Sequence, residues 1–250
     1  MMGKLHIGTR RGAAGTELDE VMFTAPFKLT SPFYIGTTAE IMIMQASAGL
    51  LKGDSHEFDI AVSPHTSAVI TEQSYTKIFK TDDGFASKHV KISVGEDAKL
   101  YYLPCPTIPF AGSSFRSVTE IDLSPGSKLM LWDITACGRV GMGELFKFRE
   151  YRSSLRVRLN GRLVYADNTR LVPSEHALSS IGCFEGYTHM GTAYFYGFEN
   201  DFEFTDSNNV LSAFTHPTEG ILVRALSHSG ESLTKYFRSL VPHSDILPHI

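Results

Sequence analysis

The stretch "VSPHTSAVIT", residues 62–71, passes from an apolar position through a polar turn into an apolar run. The same order recurs in "VGEDAKLYYL" at residues 94–103 and in "LSPGSKLMLW" at residues 123–132, a spacing of about 30 residues. A unit of this size cannot bury its own apolar face, so the repeat predicts stacked β-layers of solenoid or β-helix character. Two meanders with similar hairpins would produce the same pattern and are the alternative.

Strand signals continue on both sides of the repeat. In "HVKISV", apolar residues from Val90 to Val94 alternate with polar ones, as in a half-buried strand. In "SLRVRLNGRLVYAD", residues 154–167, two such runs flank Asn160 and Gly161, a dipeptide that favours the type I′ turn of a hairpin. We therefore predict an all-β fold, mainly β with about two α-helices, in an elongated stacked-sheet, β-helix-like architecture.

Two segments carry helix signals. The stretch "SGESLTKYFRSLVP", residues 229–242, has an apolar stripe at helical spacing, with Ser229 as N-cap and Pro242 as the stop. It predicts a C-terminal helix that packs on the sheets. A shorter helix is predicted near "DSNNVLSAF", with Asp206 or Ser207 as its cap.

Composition limits the class of protein. The 250 residues are 42% hydrophobic and 20% charged, with a net charge of −4. This globular balance, without a Pro-rich or Ser-rich linker, predicts a single domain over residues 1–250. Lysine and arginine are scattered among acids, so the basic stripe that nucleic acid binding requires is missing and no nucleic acid partner is expected.

Cysteine usage and hydropathy indicate the cellular compartment in which the protein is expected. Cys105, Cys137 and Cys183 are odd in number and widely spaced, which is typical of reduced thiols in a cytosol. The N-terminal stretch lacks the apolar core of a secretion signal, and no run approaches the roughly 20 apolar residues of a membrane span. These features predict a cytoplasmic protein with no membrane partner.

A glycine-bracketed bend stands out in "ASAGLLKGDSHEF", residues 46–58. Gly49 and Gly53 adopt positive φ at low cost, so the backbone can double back and leave Asp54 projecting. A P-loop needs lysine after its second glycine, whereas Lys52 precedes Gly53, and an acid at the next position would repel phosphate. The bend is therefore predicted to aim Asp54, either into a wet interior or outward as a turn or docking contact.

A second glycine-rich stretch is "WDITACGRVGMGELFKF", residues 132–148. Its glycines are in the wrong order for a dinucleotide-binding fingerprint, and no βαβ unit surrounds them. One interpretation is that Asp133 and Glu144 face a cavity, together with Asp54. The other is that Arg139 neutralises one of these acids in a structural ion pair.

Polar residues also interrupt the strand-like run "ITEQSYTKIFK", residues 70–80. By a period of two, Thr71, Gln73, Tyr75 and Lys77 share one face. Polar residues inside a sheet need partners or water, so this face either lines a wet channel or is the solvent side.

Metal-binding motifs are sparse. The ten histidines form no HxH or HExxH arrangement, so no preassembled zinc or nickel site is predicted. Cys105 is either a soft metal ligand or a packing residue. In the tail, His243, Asp245 and His249 cluster, which suits weak binding of a divalent ion or a disordered end.

Taken in order, these stretches resemble a known family. The segments "SPFY", "AGLLKGD", "ITEQSYTKIFK", "LPCPTIPF", "WDITACGRVGMGELF" and "NGRLVYAD" occur in the order seen in urease accessory proteins of the UreD family, called UreH in Helicobacter-type operons. The resemblance covers about residues 20–170 and extends weakly to the C-terminal helix. The motifs are specific only when taken jointly.

The resemblance implies a non-enzymatic scaffold for urease maturation. Such a protein bridges the UreF and UreG accessory proteins to urease apoprotein and conducts nickel to the urease active site through an internal tunnel. Nickel in transit is the implied cargo, with no tightly bound cofactor, and a homodimer of the accessory complex is a further implied partner state.

The same resemblance assigns residues by motif. Asp54 matches the acid of a glycine-glycine-aspartate turn, Asp133 the acid after a buried Trp, and Glu144 the acid of a GR…GE pair. A nickel conduit needs hard, exchangeable oxygen ligands, because converging thiolates or imidazoles would trap the ion. These three acids are therefore the implied transient nickel path. The accompanying tunnel or structural motif residues are Gly49, Gly53, Thr71, Thr76, Lys77 and Arg139.

The chain departs from the family pattern at Ala48, which replaces the first of two adjacent glycines, and at Cys105, where many members carry a glutamine or an acid. Two other functions are also considered. One is a β-helix polysaccharide-active enzyme, whose paired carboxyls would lie about 5 to 10 Å apart in an open groove. The other is a pure protein-interaction module, with the C-terminal helix and nearby apolar strands as its docking face.

Overall fold

The computed structural model describes residues 1–198 and 209–240. It is built mainly of strands, with one α-helix among the described residues. The elements are β1 (Met2–Arg11), β2 (Thr16–Phe23), β3 (Phe27–Leu29), β4 (Phe33–Ile35), β5 (Thr38–Gln45), β6 (Ser55–Val62), β7 (Ser67–Glu72), β8 (Thr76–Ile78), β9 (Ala86–Val94), β10 (Lys99–Leu103), β11 (Thr107–Pro109), β12 (Ser114–Leu123), β13 (Lys128–Ala136), β14 (Glu150–Leu159), β15 (Arg162–Leu171), β16 (His189–Tyr196), β17 (Val210–Thr215), β18 (Ile221–Ser227) and α1 (Gly230–Ser239).

Two sheets form the body of the molecule. The first sheet has the strand order β15-β14-β12-β9-β6-β1-β2, and its five central strands are parallel. The second sheet runs β17-β18-β16-β13-β10-β7-β5-β3, with β5, β7, β10 and β13 parallel. The chain alternates between the sheets, from β6 to β7, β9 to β10 and β12 to β13. This confirms the predicted stacked-sheet, β-helix-like architecture, and the meander alternative is wrong.

The sequence repeat corresponds to one coil of this stack. Ser67 pairs with Lys99, and Lys99 pairs with Lys128, which are the same position in the three repeated stretches. The turns are equivalent as well, because His65, Asp97 and Gly126 all have positive φ, at 57°, 51° and 68°. Such a turn position suits glycine, aspartate or histidine far better than a β-branched residue. Equivalent positions of the three repeated stretches therefore occupy equivalent places in successive coils of the fold.

Apolar side chains form a large cluster between the two sheets, including Ile60, Ile70, Ile92 and Leu129. A smaller cluster lies at the edge where the short strands β8 and β11 pair with each other, and where Leu50 forms a bridge to Ile78. The interior is therefore divided between two apolar clusters along the strand direction.

The predicted hairpin is confirmed as β14 and β15. Asn160 and Gly161 both have positive φ, at 48° and 76°, as a type I′ turn requires. The two strands pair antiparallel and place this hairpin at one edge of the first sheet.

The predicted C-terminal helix is α1. The Ser229 side chain accepts a hydrogen bond of 3.3 Å from the Ser232 N–H, so Ser229 is its N-cap as predicted. Leu233 and Phe237 are fully buried in a third apolar cluster with Trp132 of β13. The predicted stop at Pro242 lies outside the described residues. Within the described part of the chain, no helix has the length and apolar character that a membrane crossing requires.

The second predicted helix is wrong over its described part. Residues Val210–Thr215 form strand β17, which pairs antiparallel with β18 in continuous register. Pairing with a neighbouring strand outweighs the short helical pattern of this segment. The proposed caps Asp206 and Ser207 lie outside the described residues.

Removing the cap of α1 has a measurable cost. Ser229→Ala is expected to lower the free energy of unfolding by about 1 kcal/mol, because one N–H of the first turn loses its acceptor. Urea denaturation followed by circular dichroism measures the change. Ser179→Ala, which truncates an exposed serine outside the helix, is the control and should leave the midpoint in place. Equal effects of the two changes would show that the cap does not stabilise the helix.

Candidate functional site

A layer of polar side chains separates the two apolar clusters inside the fold. On the first sheet, Lys88, Ser117 and Ser153 occupy adjacent register positions on β9, β12 and β14. On the second sheet, Glu72 ends β7 and Asp133 lies on β13. We call these five residues the polar layer. Each comes two residues after or before a core residue on its own strand, so the pleat directs it into the interior.

An ion pair forms one end of the polar layer. The Lys88 ammonium contacts the Glu72 carboxylate, and their side chains are only 11% and 9% exposed. The ammonium also lies 4.8 Å from the centroid of the Phe58 ring, a cation–π distance. Burial by itself lowers the pKa of Lys88, but the neighbouring Glu72 charge outweighs it and the pKa is raised. The contact with Glu72 therefore favours the charged form of Lys88 in spite of its burial.

Asp133 occupies the middle of the polar layer. The Ser153 hydroxyl donates a hydrogen bond of 3.0 Å to its Oδ2. Burial raises the pKa of Asp133, and the Ser153 hydrogen bond and the Lys88 charge offset only part of this shift. Burial therefore disfavours the charged form of the Asp133 carboxyl relative to an exposed aspartate.

Two cavities meet at Asp133. One, of about 50 Å³, is also lined by Lys88, Tyr102 and Cys105. The other, of about 40 Å³, is also lined by Asp167. Each volume is large enough to hold water, and Asp133, Tyr151 and Ser153 belong to both walls. Asp133, Tyr151 and Ser153 therefore lie between two water-sized cavities in the interior.

The smaller cavity approaches the surface at Asp167. Its side chain is 17% exposed and accepts a hydrogen bond of 3.0 Å from Arg224, whose side chain is 61% exposed. The Tyr165 hydroxyl also donates to Asp167, at 3.3 Å. The smaller cavity is therefore lined by the buried Asp133 and by the partly exposed, charged Asp167.

The structure places Asp54 in its own turn. The Leu51 N–H donates a hydrogen bond of 2.8 Å to Asp54 Oδ2, and the Met1 amino group contacts Oδ1. Burial favours a higher pKa for Asp54, but these two donors outweigh it and the pKa is lowered. The backbone of Gly49 has a φ of 151°, and a Cβ there would overlap the Lys77 carbonyl oxygen, so the bend requires glycine. Asp54 closes the bend and lines neither of the two cavities.

Arg139 and Glu144 form the structural ion pair that was one of the two interpretations of their stretch. Arg139 Nε donates to Glu144 Oε2 at 2.7 Å, and a second guanidinium nitrogen contacts Oε1. The guanidinium also stacks on the Phe110 ring at 4.5 Å. Glu144 lines neither cavity. The three acids of the implied nickel path therefore lie in different environments, and of the three only Asp133 lines the two interior cavities.

The prediction of one shared face in residues 70–80 is wrong. Strand β7 ends at Glu72 and β8 begins at Thr76, so the period of two is broken between them. Thr71 and Thr76 are buried, whereas Lys77 is exposed. The residue of this stretch that enters the polar layer is Glu72, on the face opposite Thr71.

Glu72, Lys88 and Ser153 were missed from the sequence. The available signal was a polar residue at an inward position between two apolar ones, as in Ala86-x-Lys88-x-Val90. The alternation in β9 shows which residues share a face, but both apolar clusters must be known before Lys88 can be recognised as interior.

Metal ligands do not converge in the described residues. No group of three or more His, Cys, Asp or Glu side chains there is placed to hold a metal ion. Cys105 donates its thiol to the Glu72 carbonyl oxygen at 3.1 Å, and burial raises its pKa to about 11, so it is a neutral thiol. The tail residues His243, Asp245 and His249 lie outside the described residues.

The polysaccharide-active alternative needs two acids in one open groove. Asp133 is enclosed between the sheets, and Glu144 is neutralised by Arg139 on a separate loop. This arrangement does not provide the paired carboxyls of a glycosidase.

Comparisons of the chain with a family model and with known proteins agree on one family. Residues 1–245 match the family model described as UreD urease accessory protein. The urease accessory protein UreH of Helicobacter hepaticus is 36% identical over 244 residues, covering 94% of this chain and 96% of the relative. The urease accessory protein UreD of Acetivibrio thermocellus is 34% identical over 252 residues, covering 95% and 96%. The urease accessory protein UreH of Helicobacter pylori strain J99 is 40% identical over 188 residues, covering 74% and 71%.

Proposed function

Because the chain belongs to the UreD family of urease accessory proteins, we propose that it is a maturation scaffold that delivers nickel to urease. In this role it bridges UreF-like and UreG-like accessory proteins to urease apoprotein in the cytoplasm. It performs no chemistry of its own, and nickel is its cargo rather than a resident cofactor.

The observation that carries the nickel part of this proposal is the position of Asp133. This carboxylate lies between two water-sized cavities inside a β fold whose remaining interior is mostly aliphatic. Burying an acid costs several kcal/mol unless water or partners solvate it. A protein that needed only stability would be served better by an apolar residue at this position, so a buried acid beside two water-sized cavities supports a transport role.

The ligand chemistry of the path also suits transport. Its lining offers the Asp133 carboxylate and hydroxyl oxygens such as those of Ser117, Ser153 and Thr107, without converging imidazoles or thiolates in the described residues. Such ligands bind a late first-row divalent ion weakly and exchange quickly. The ion can therefore be handed on, whereas a site of several nitrogen and sulfur ligands would retain it.

The C-terminal helix has a structural role in this proposal. The apolar stripe that made it a candidate docking face is covered by the second sheet, since Leu233 and Phe237 are fully buried. A partner must therefore bind other surfaces, or the polar face of α1.

The proposal is tested by deletion and co-purification. A strain that lacks this gene is expected to assemble urease without activity, and the wild-type gene should restore it. The tagged chain should also co-purify with the UreF-like protein of the same organism. Normal urease activation in the deletion strain, together with no co-purified partner, would overturn the assignment.

A further inference from the structure

One end of the β stack exposes apolar side chains on both sheets. Strand β2 is the last strand of the first sheet, and its residues Val21, Met22 and Phe23 are all exposed, with Met22 67% exposed. In the second sheet, Phe33 and Tyr34 of β4 are exposed at the same end, where β4 pairs with β5. The terminal coil of a stacked fold normally needs a polar outer face for solubility. This end is therefore a candidate for contact with another protein.

The two halves of β2 differ in how the sheet edge is protected. The middle of the strand contains a bulge, where Asp19 and Glu20 lie opposite the single residue Gly8 of β1. Bulges and charged side chains are two devices that keep an open sheet edge from pairing with other strands. The half of β2 after the bulge, Val21 to Phe23, carries neither device and is open to pairing.

The backbone of this second half has hydrogen-bonding groups that face away from the sheet. The Thr24 N–H donates a hydrogen bond of 2.9 Å to the Lys4 carbonyl oxygen of β1. Along an antiparallel strand, successive residues direct their N–H and C=O groups to alternate sides. Val21 and Phe23 therefore direct these groups away from β1, where the described part of the chain places no further strand. An extended segment of another chain satisfies such groups as an added strand.

We propose that Val21 to Phe23 is a docking edge, to which a protein partner adds a short extended segment as a strand. The segment offers apolar residues to this edge and a basic residue beside Asp19 and Glu20, whose side chains are 53% and 75% exposed. Because it requires a protein partner, this inference rests on the scaffold part of the proposed function. It is independent of nickel and of the interior cavities.

A second copy of this chain fits the docking edge less well. Two β2 strands can pair antiparallel about Met22. This arrangement places Glu20 opposite Thr24 of the other copy. It places the next acid, Asp19, opposite Ala25. Neither position supplies a basic group, so charge complementarity favours a different chain as the occupant.

The test uses a short synthetic peptide of alternating valine and threonine with a lysine at each end. Its binding to the full chain is measured by fluorescence anisotropy. Val21→Pro removes an outward N–H and is expected to weaken binding about tenfold or more, because proline cannot donate to an added strand. Val21→Thr keeps both the N–H and the strand propensity and should bind like the wild type. Equal affinity of Val21→Pro and Val21→Thr would overturn the proposal.

Two further measurements decide the question if circular dichroism shows that Val21→Pro does not fold. Glu20→Lys leaves the backbone unchanged and should reverse the preference between the lysine-ended peptide and the same peptide with glutamate ends. Methylating every second backbone nitrogen removes the hydrogen-bond donors from one edge of the peptide, so one of the two methylated versions should lose binding. An unchanged preference in Glu20→Lys, or undiminished binding of both methylated versions, would overturn the proposal.

Hydrogen exchange tests the docking edge in the assembled complex. The amides of Val21 and Phe23 are compared in the chain alone and in its complex with the accessory proteins and urease apoprotein. We expect exchange at these amides to slow about tenfold or more in the complex. Unchanged exchange in a complex that does form would overturn this inference and leave the proposed function standing. If no partner co-purifies, the proposed function fails instead, and the peptide measurements decide this inference.

Analytical ultracentrifugation of the chain alone detects a second copy at the docking edge. The wild type and Val21→Pro are expected to sediment alike. A wild-type dimer that Val21→Pro converts into a monomer would assign the edge to a second copy of this chain and overturn the proposal.

Discussion

Glu72→Leu is expected to lower the free energy of unfolding by about 3 to 5 kcal/mol, because it leaves the Lys88 ammonium buried without its partner. Both side chains are about nine-tenths buried, so water cannot replace the lost carboxylate. Urea denaturation at pH 7 measures the change. An effect of this size could not be predicted from the residues alone, since Glu72 stands in a stretch with several exposed polar residues.

The double variant Glu72→Leu/Lys88→Met distinguishes the loss of stability caused by an unpaired buried charge from the loss caused by altered packing. It removes both charges and is expected to recover most of the lost stability, because a neutral apolar pair needs no internal solvation. Glu231→Gln is the control. It breaks the exposed pair with Lys235, whose two side chains are more than 70% exposed, and should leave the unfolding midpoint nearly unchanged. A double variant no more stable than Glu72→Leu would show that the ion pair is not the cause.

Acidification from pH 7 to pH 4 is expected to remove about 2 to 3 kcal/mol of stability through His56 alone. His56 is 4% exposed and packs against Phe27, and burial, followed by the Lys88 charge, lowers its pKa to about 4. The unfolded chain takes up a proton near pH 6.5, whereas the folded chain resists it. The unfolded state therefore binds more protons between these values, and stability falls as the pH falls through this window.

The variant His56→Gln measures how much of the pH-dependent loss of stability comes from His56. The variant cannot take up the proton, so its stability should change less between pH 7 and pH 4 than that of the wild type. His189, whose pKa burial also lowers to about 4, contributes in the same window, and His189→Gln should flatten the curve independently. Parallel curves for wild type and His56→Gln would mean that His56 is protonated in the folded state near its ordinary pKa.

The sequence predicted the coil of this fold well because turn chemistry and strand pattern agree. His65, Asp97 and Gly126 occupy the same turn position, and each residue type tolerates positive φ. Asn160-Gly161 specified its hairpin for the same reason. The segment at Val210–Thr215 was misassigned because its partner strand β18, and not its own residues, determines its conformation.

The candidate site was predicted only in part. Asp133 was identified from its motif, and the structure places it at the junction of the two cavities. Lys88 was assigned no role, because alternation in β9 cannot show that a lysine sits on the inward face between two apolar clusters. Asp54 and Glu144 carry the same charge as Asp133 in the sequence, yet local donors hold each of them in its own loop. Such local pairs depend on backbone geometry that residue types alone do not reveal.

The central claim is that nickel reaches urease through the hydrated path at Asp133. The most direct test is the nickel content of urease purified from the deletion strain carrying Asp133→Leu, with Asp122→Leu on the exposed face of β12 as the matched control. We expect that Asp133→Leu still co-purifies with its UreF-like partner while nickel per urease active site falls about tenfold or more, because leucine offers no oxygen ligand and displaces water. Wild-type nickel content in urease matured with Asp133→Leu would contradict the account.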